Sequence, residues 1–342
     1  MRRVALLFAL LIVAGDLCAA SPVAQPVDRR GEEQTFLTFP EWFLVFSPTE
    51  YADLVRTRTP DEFCFWGHIG QFWRSYAAVT GETQRRHDPT NWGYHLMIVV
   101  IGVSTTVEYA IRSAYETVVG RITALFAPSR TEEDEYAARV AQEYVDLIRD
   151  QPWYEFDFLA RLQGLWTQTS YFGPHMLRKW ERKYALTTEY GVKAVYGWLI
   201  GKASQQTYDA PLPYTAVLVD GWPAACAANP APAGVSVLTS VGGGGALLSV
   251  PRYHRFTAAS LGLARCNVQF REIAGNRTDI LVSVLGPVGA PPLPGTRVLF
   301  RQPLLTQPGR ERTAYVVPID ALGGALRAVD RQGWSLEHVF DY

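Results

Sequence analysis

The chain has 342 residues, of which 19% are charged, with a net charge of −1 and a mean hydropathy of −0.02. These values exclude a protein built mainly of membrane helices and exclude long-range electrostatic attraction to nucleic acid. The length suits two domains, or one large domain with additions.

The N-terminus reads "MRRVALLFALLIVAGDLCAAS": two arginines, an apolar run from Val4 to Gly15, then small residues. That layout predicts a secretory signal, cleaved after Ala20 or kept as an anchor. The run is short of the ~20 residues that a membrane span needs. Either fate predicts export. Beyond the signal remain Cys64, Cys226 and Cys266, an odd number for an oxidising compartment. Cys226 and Cys266 are the expected bridge, and Cys64 in "EFCFW" is expected to be a small buried hydrophobe. Residues 21–35 read as a linker.

Helix signals follow. "SPTE" at Ser47–Glu50 has the form of a capping box with Pro48 in the first helical position, and "TPDE" at Thr59–Glu62 repeats it. The second box predicts a helix with Phe65, Ile69, Phe72 or Trp73, and Tyr76 on one face. Residues 89–107 then lack any Asp, Glu, Lys or Arg, and Glu108, Arg112 and Glu116 come at intervals of four. This helix is expected to run to about Phe126. Its apolar part admits three settings: a protein core, a bilayer span, or partial insertion in lipid. Thr131 is placed to cap the next helix, with Tyr136, Val140, Tyr144 and Ile148 on one face. A long helix from about Pro174 to Ser204 carries Arg178, Lys179, Arg182 and Lys183 beside Trp180 and Tyr184. Cations beside aromatics predict an interfacial helix facing anionic headgroups. The alternative is a solvated face paired with Glu181 and Glu189.

Composition changes after Tyr208. Residues 209–233 are rich in Pro and Ala and read as a linker, and Gly242–Gly245 reads as a flexible turn. Strand patterns dominate the remainder. "NVQFREI" and "DILVSVLG" flank Gly275-Asn276 as an expected hairpin, and "RVLFR" and "TAYVV" flank Pro308-Gly309 as a second. Helices are predicted near Arg255–Ala264 and from Asp320 to Gly333. The predicted fold class is therefore α+β. A Trp/Tyr-rich helical domain over 36–208 precedes a small ferredoxin-like α+β domain over 234–342.

Catalytic signatures are scarce. The sequence has no GxSxG elbow, P-loop, HExxH or dinucleotide GxGxxG. Its six histidines are scattered, so neither a metal nor a cofactor is expected. Glu41 and Glu108 are the acids with the most apolar neighbours; burial would suit them to acid/base work, and the alternative is an ion pair with an arginine of the basic helix. With the basic helix, the candidate binding residues are Glu41, Glu108, Arg178, Glu181 and Arg182. The expected function is an interaction role in a bacterial cell envelope. The helical domain would associate with the lipid surface on the periplasmic side of the inner membrane. Residues 234–342 would contact another envelope protein, and no nucleic acid is involved. The alternatives are an enzyme acting on a hydrophobic or lipid-like substrate, or a soluble periplasmic ligand-binding module.

Overall fold

The computed structural model describes residues 29–31, 33–127, 129–207, 212–222, 226 and 232–342. The expected signal lies outside them. Helices α1 (Gln34–Leu37) and α2 (Phe39–Val55) open the described chain. α2 runs unbroken through Pro48, so no helix starts at Ser47. A proline inside a helix removes a backbone donor and costs roughly 3 kcal/mol. Tertiary partners offset that cost. Phe39, Phe43 and Phe46 are buried, and the Ser47 hydroxyl lies 2.8 Å from the Tyr109 hydroxyl. Glu50 reaches Arg312 at 3.0 Å instead of capping. The second box does form, and closes a 3-10 turn at Pro60–Glu62.

α3 (Phe65–Arg86) buries Phe65, Phe72 and Val79 on its inner face. Cys64 sits at its N-cap and is exposed. Phe63 and Phe65 take the buried positions on either side, which corrects the expectation of a buried thiol. α4 (Trp92–Tyr115) starts at Asn91, whose side chain accepts from the Tyr94 N–H at 3.1 Å. Gly102 lets α4 approach α3 closely, since a Cβ there would lie 2.3 Å from Phe72 Cε1. The helix continues as a π segment (Glu116–Gly120) and α5 (Arg121–Leu125). α6 (Glu132–Ile148) begins at Thr131 with a reciprocal capping box to Asp134. α7 (Phe158–Gln168) and α8 (Met176–Thr207) complete the helical part.

The strands form two four-stranded antiparallel sheets, ordered β2-β3-β1-β4 and β6-β7-β5-β8. The first unit is β1 (Tyr214–Asp220), β2 (Ser236–Val241), β3 (Gly245–Pro251), α9 (His254–Arg265) and β4 (Gln269–Ile273). The second is β5 (Asp279–Pro287), β6 (Arg297–Pro303), β7 (Arg310–Pro318), α10 (Ile319–Arg331) and β8 (Ser335–Val339). Class and element order are as expected, a helical part followed by a sheet part. The strands divide between two sheets, where a ferredoxin-like unit has one. β1 lies inside the stretch read as a linker. β4 and β5 flank Gly275 but belong to different sheets, so the first expected hairpin is a junction between units. β6 and β7 form the second hairpin as expected. Gly243 and Gly244 take φ of 80° and 83° in the β2–β3 turn, a conformation that favours glycine.

The two units repeat one βββαβ topology in detail. β1 and β4 slip register between Leu218 and Val219, and β5 and β8 between Ser283 and Val284. β2 slips against β3 between Val237 and Thr239, as β6 does against β7 between Val298 and Phe300. Both helices end in a residue of positive φ, Asn267 and Gly333. α9 and α10 pack together, joined by Arg265–Asp330. Each helix also reaches the other unit: Thr257 of α9 accepts from the Val339 N–H, and α10 packs on β4. The bridge Cys226–Cys266 forms as expected.

One hydrophobic core joins Phe36, Phe39, Phe43, Phe72 and Ile98 to Val217, Leu248, Phe270, Leu281 and Val316. The first helices and both sheets are therefore packed as one body. A second cluster, including Tyr136, Phe156, Phe158, Leu165 and Tyr190, lies beneath α6–α8.

Candidate functional site

α4 and α8 run antiparallel and face each other through charged side chains. Lys193 Nζ lies 3.1 Å from Glu108, and Arg112 lies 3.4 Å from Glu189. Arg182 grips Glu116 with two bonds of 3.0 and 3.1 Å. Arg178 donates to the Gly120 carbonyl at 3.1 Å. Residue numbers fall along one helix as they rise along the other. The i, i+4 spacing of Glu108, Arg112 and Glu116 supplies one side of this ladder.

The ladder thickens where α5, α6 and α8 meet. Arg178 also pairs with Asp134 at 3.0 Å and Glu181 at 3.1 Å. Lys179 bonds Glu133 at 2.9 Å and Glu132 at 3.2 Å, and Lys183 lies 3.3 Å from Glu133. Tyr115 and Thr123 donate to Glu181 at 2.8 and 3.1 Å. Arg178, Lys179, Arg182 and Lys183 are each at most 3% exposed. The cations expected to face headgroups thus point inward. Burying an unpaired charge costs far more than solvating one, and each of these finds a carboxylate. The π segment belongs to this arrangement. It turns both Glu116 and Gly120 inward, and a Cβ on Gly120 would fall 2.1 Å from Glu116 Oε2. π bulges are rare and concentrate at functional positions.

The outer surface is the reverse. From Trp92 to Phe126 the exposed large hydrophobics are Trp92, Leu96, Val99, Val100, Val103, Val107, Ile111, Val118, Val119, Ile122, Leu125 and Phe126. Arg121 is the charged residue among the exposed positions of that stretch. On α8 the exposed positions include Leu177, Trp180, Tyr184, Val192, Val195 and Leu199. In both helices an apolar position sits one residue before a ladder position: Val107 before Glu108, Ile111 before Arg112, Leu177 before Arg178, Val192 before Lys193. In an antiparallel pair, equal angular offsets fall on the same side of the plane holding the two axes. The two stripes therefore form one apolar face, under which the ladder is buried at its Arg178 and Arg182 end, while Glu108 at the other end is 42% exposed. Tyr171 and Phe172, just before α8, and Met176, its first residue, are also exposed. The helix Trp92–Leu125 is long and apolar enough to cross a membrane, and only 17% of its apolar window is buried.

Of the expected site residues, Arg178, Glu181 and Arg182 come together, and Glu108 joins the same ladder. Glu41 stands apart on α2, beside Tyr94, with burial raising its carboxyl above the usual range. From Tyr94 to Glu108 is about 21 Å along α4. Glu41 and Glu108 therefore do not share a site where one would act as acid and the other as base. Glu189, expected as a partner on a solvated face, joins the ladder, and Glu133, Asp134 and Lys193 belong to it without having been anticipated. The i, i+4 pair Glu189/Lys193 was the available sequence signal.

A second buried polar cluster links α2 and α3 to the second sheet. Arg312 pairs with Glu50 at 3.0 Å and Glu337 at 2.6 Å. His68 Nε2 lies 3.8 Å from Glu50, and the imidazole stacks on Phe63. Burial is the main cause, and the Arg312 charge the lesser, that pushes His68 down to about 3. Local capping chemistry accounts for Glu50 equally well in the sequence, which concealed this cluster. Among the described residues no group of His, Cys, Asp and Glu is arranged to hold a metal ion. No family model, curated protein or solved structure matches this chain.

Proposed function

We propose that this is a membrane-associated protein that beds the common outer face of α4–α5 and α8 in one leaflet. It holds its paired sheets in the aqueous phase for an interaction role. The observation that carries this reading is the inverted polarity of the helix pair, with ion pairs inside and Val, Ile, Leu, Trp and Phe outside. A helix in a water-soluble protein turns its apolar stripe toward the core. Charges facing a helical partner and apolar side chains facing outward are the arrangement that lipid favours. Lipid contact on one side suits a helix lying in the interface, because the opposite side of α4 packs against α3. Placement on the periplasmic side of a bacterial inner membrane is part of the proposal. It is supported by the N-terminal "MRRVALLFALLIVAG" pattern and by a disulfide, which persists in oxidising compartments.

Flotation of the purified chain with vesicles tests the reading. Binding is expected on zwitterionic and anionic vesicles alike, and in high salt, because the cations of α8 are consumed by internal pairs. The double substitution Val103→Asp and Ile122→Asp, at two exposed positions, is expected to abolish flotation and leave the circular dichroism spectrum unchanged. A wild-type chain that stays at the bottom of the gradient with both vesicle types overturns the proposal.

A further inference from the structure

The second unit passes from β7 straight into α10, with Pro318 followed by the first helical residue, Ile319. The first unit makes the same connection with two extra residues, Arg252 and Tyr253, between Pro251 and His254. Tyr253 takes φ 59° and ψ −137° there, a backbone conformation ordinarily left to glycine. The repeat shows that the topology does not need this residue. Nor does the core, because Tyr253 is only half-buried. Strain kept without such a reason points to a use for the side chain.

Arg252 and Asp341 hold the strained residue in place. Arg252 Nε donates to Asp341 Oδ2 at 2.7 Å, and the Tyr253 N–H donates to the same oxygen at 3.4 Å. Arg252 also donates to the Tyr342 hydroxyl. Its guanidinium lies 4.8 Å from the centre of the Tyr253 ring and 4.9 Å from that of the Tyr342 ring, and Asp341 balances its charge. α2 delivers Glu41 to this corner. Phe39 stacks on Phe340 with centroids 6.0 Å apart, and Trp42 lies against His338 at 3.6 Å. The Glu41 charge is felt at the hydroxyls of Tyr94, Tyr253 and Tyr342. Arg30 bears on Tyr253 as well, yet among the described residues no cation acts on Glu41. Glu50, Glu116, Glu181 and Glu189 are each held by an arginine or a lysine. The polar neighbour of Glu41 is the Tyr94 hydroxyl, itself buried without a well-formed hydrogen bond. All four of these residues are half-buried. One carboxylate without a counter-charge is thus grouped with three tyrosines from three other parts of the chain. We infer that Glu41, Tyr94, Tyr253 and Tyr342 form a binding site for an organic ammonium group. The carboxylate supplies the counter-charge and the aromatic rings the cation–π attraction. Zwitterionic lipid headgroups and soluble amines both carry such a group.

The inference does not rest on the lipid-facing surface. The full chain in maltoside micelles is probed with choline by saturation-transfer NMR. Transfer to the choline methyl protons is expected from the wild type, and is expected to fall to background in Glu41→Gln and in Tyr253→Gly. Glycine suits the backbone at position 253, so Tyr253→Gly is expected to melt no lower than the wild type while losing the signal. Trp66→Ala, at an exposed aromatic on α3, is expected to keep it. Displacement of choline by phosphatidylethanolamine doped into the micelles, and not by phosphatidylglycerol, identifies a lipid headgroup as the ligand. Displacement by free ethanolamine alone identifies a soluble amine. A wild-type chain that gives no transfer overturns the inference. So does a signal that survives Glu41→Gln or Tyr253→Gly, that is lost in Trp66→Ala, or that neither amine displaces.

Discussion

Glu116 and Arg182 face each other across the α4–α8 contact with two bonds of 3.0 and 3.1 Å, beneath an apolar surface. Both side chains are almost fully buried, at 8% and 3% exposure. A pair so placed contributes little relative to well-packed hydrophobic residues, but losing one member strands the other. Arg182→Met is therefore expected to cost about 3–5 kcal/mol. Glu116→Leu combined with Arg182→Met is expected to cost less than Arg182→Met alone. Chemical denaturation of the three proteins checks both statements.

Gly120 and Gly191 are both helical glycines with opposite surroundings. A methyl group at Gly120 meets the Glu116 carboxylate, whereas nothing lies within 4 Å of one at Gly191. Gly120→Ala is expected to lower the melting temperature by displacing Glu116 from Arg182. Gly191→Ala is expected to raise stability by up to about 1 kcal/mol, the helix propensity difference. Thermal melts of the two variants should move in opposite directions.

His68 makes stability depend on pH. Its folded pKa is depressed to about 3 from 6.5. Between those values the unfolded chain binds the extra proton, so stability falls as pH drops through that window. The slope contributed is at most about 1.4 kcal/mol per pH unit. Glu50, raised chiefly by burial, acts in the opposite sense above its ordinary 4.5, and His338 is lowered by burial like His68. The comparison must therefore be with His68→Gln. That variant is expected to lose one proton's worth of slope between pH 4.5 and 6.5, read from denaturation curves across the range.

The bridge Cys226–Cys266 spans a sequence separation of 40 and ties the segment between β1 and β2 to the end of α9. Closing a loop of that length in the unfolded chain is worth about 3–4 kcal/mol. Cys226→Ser, or reduction of the wild type, is expected to lower stability by that order. Cys64→Ser is expected to be neutral, since that thiol is exposed and unbridged. Melts with and without reductant distinguish the two cysteine positions.

Much of the architecture follows from local sequence. The periodicity of α3, the Thr131 cap, the switch from helix to strand spacing after Tyr208 and the Cys226–Cys266 pairing are decided by nearby residues or by simple elimination. So was the length of the apolar helix, because hydrophobic side chains declare themselves without a partner. The direction in which charges point was not. Arg178, Lys179, Arg182 and Lys183 look the same in sequence whether they face headgroups, water or carboxylates. Glu116, Glu133 and Asp134 come from other helices, and only the packing of those helices brings them to the cations, whereas Glu181 is their neighbour on α8. Glu50 likewise passes for a capping residue until β7 delivers Arg312. The repeat of the βββαβ unit was hidden for a related reason, since it lies in matching register slips and strand order and not in matching residues. The sequence by itself determined most of the helices, the shift to strands and which segments are greasy, but not β1, which was read as a linker. The tertiary structure decided which side of each helix meets protein, because burial of a charge depends on partners that are remote along the chain.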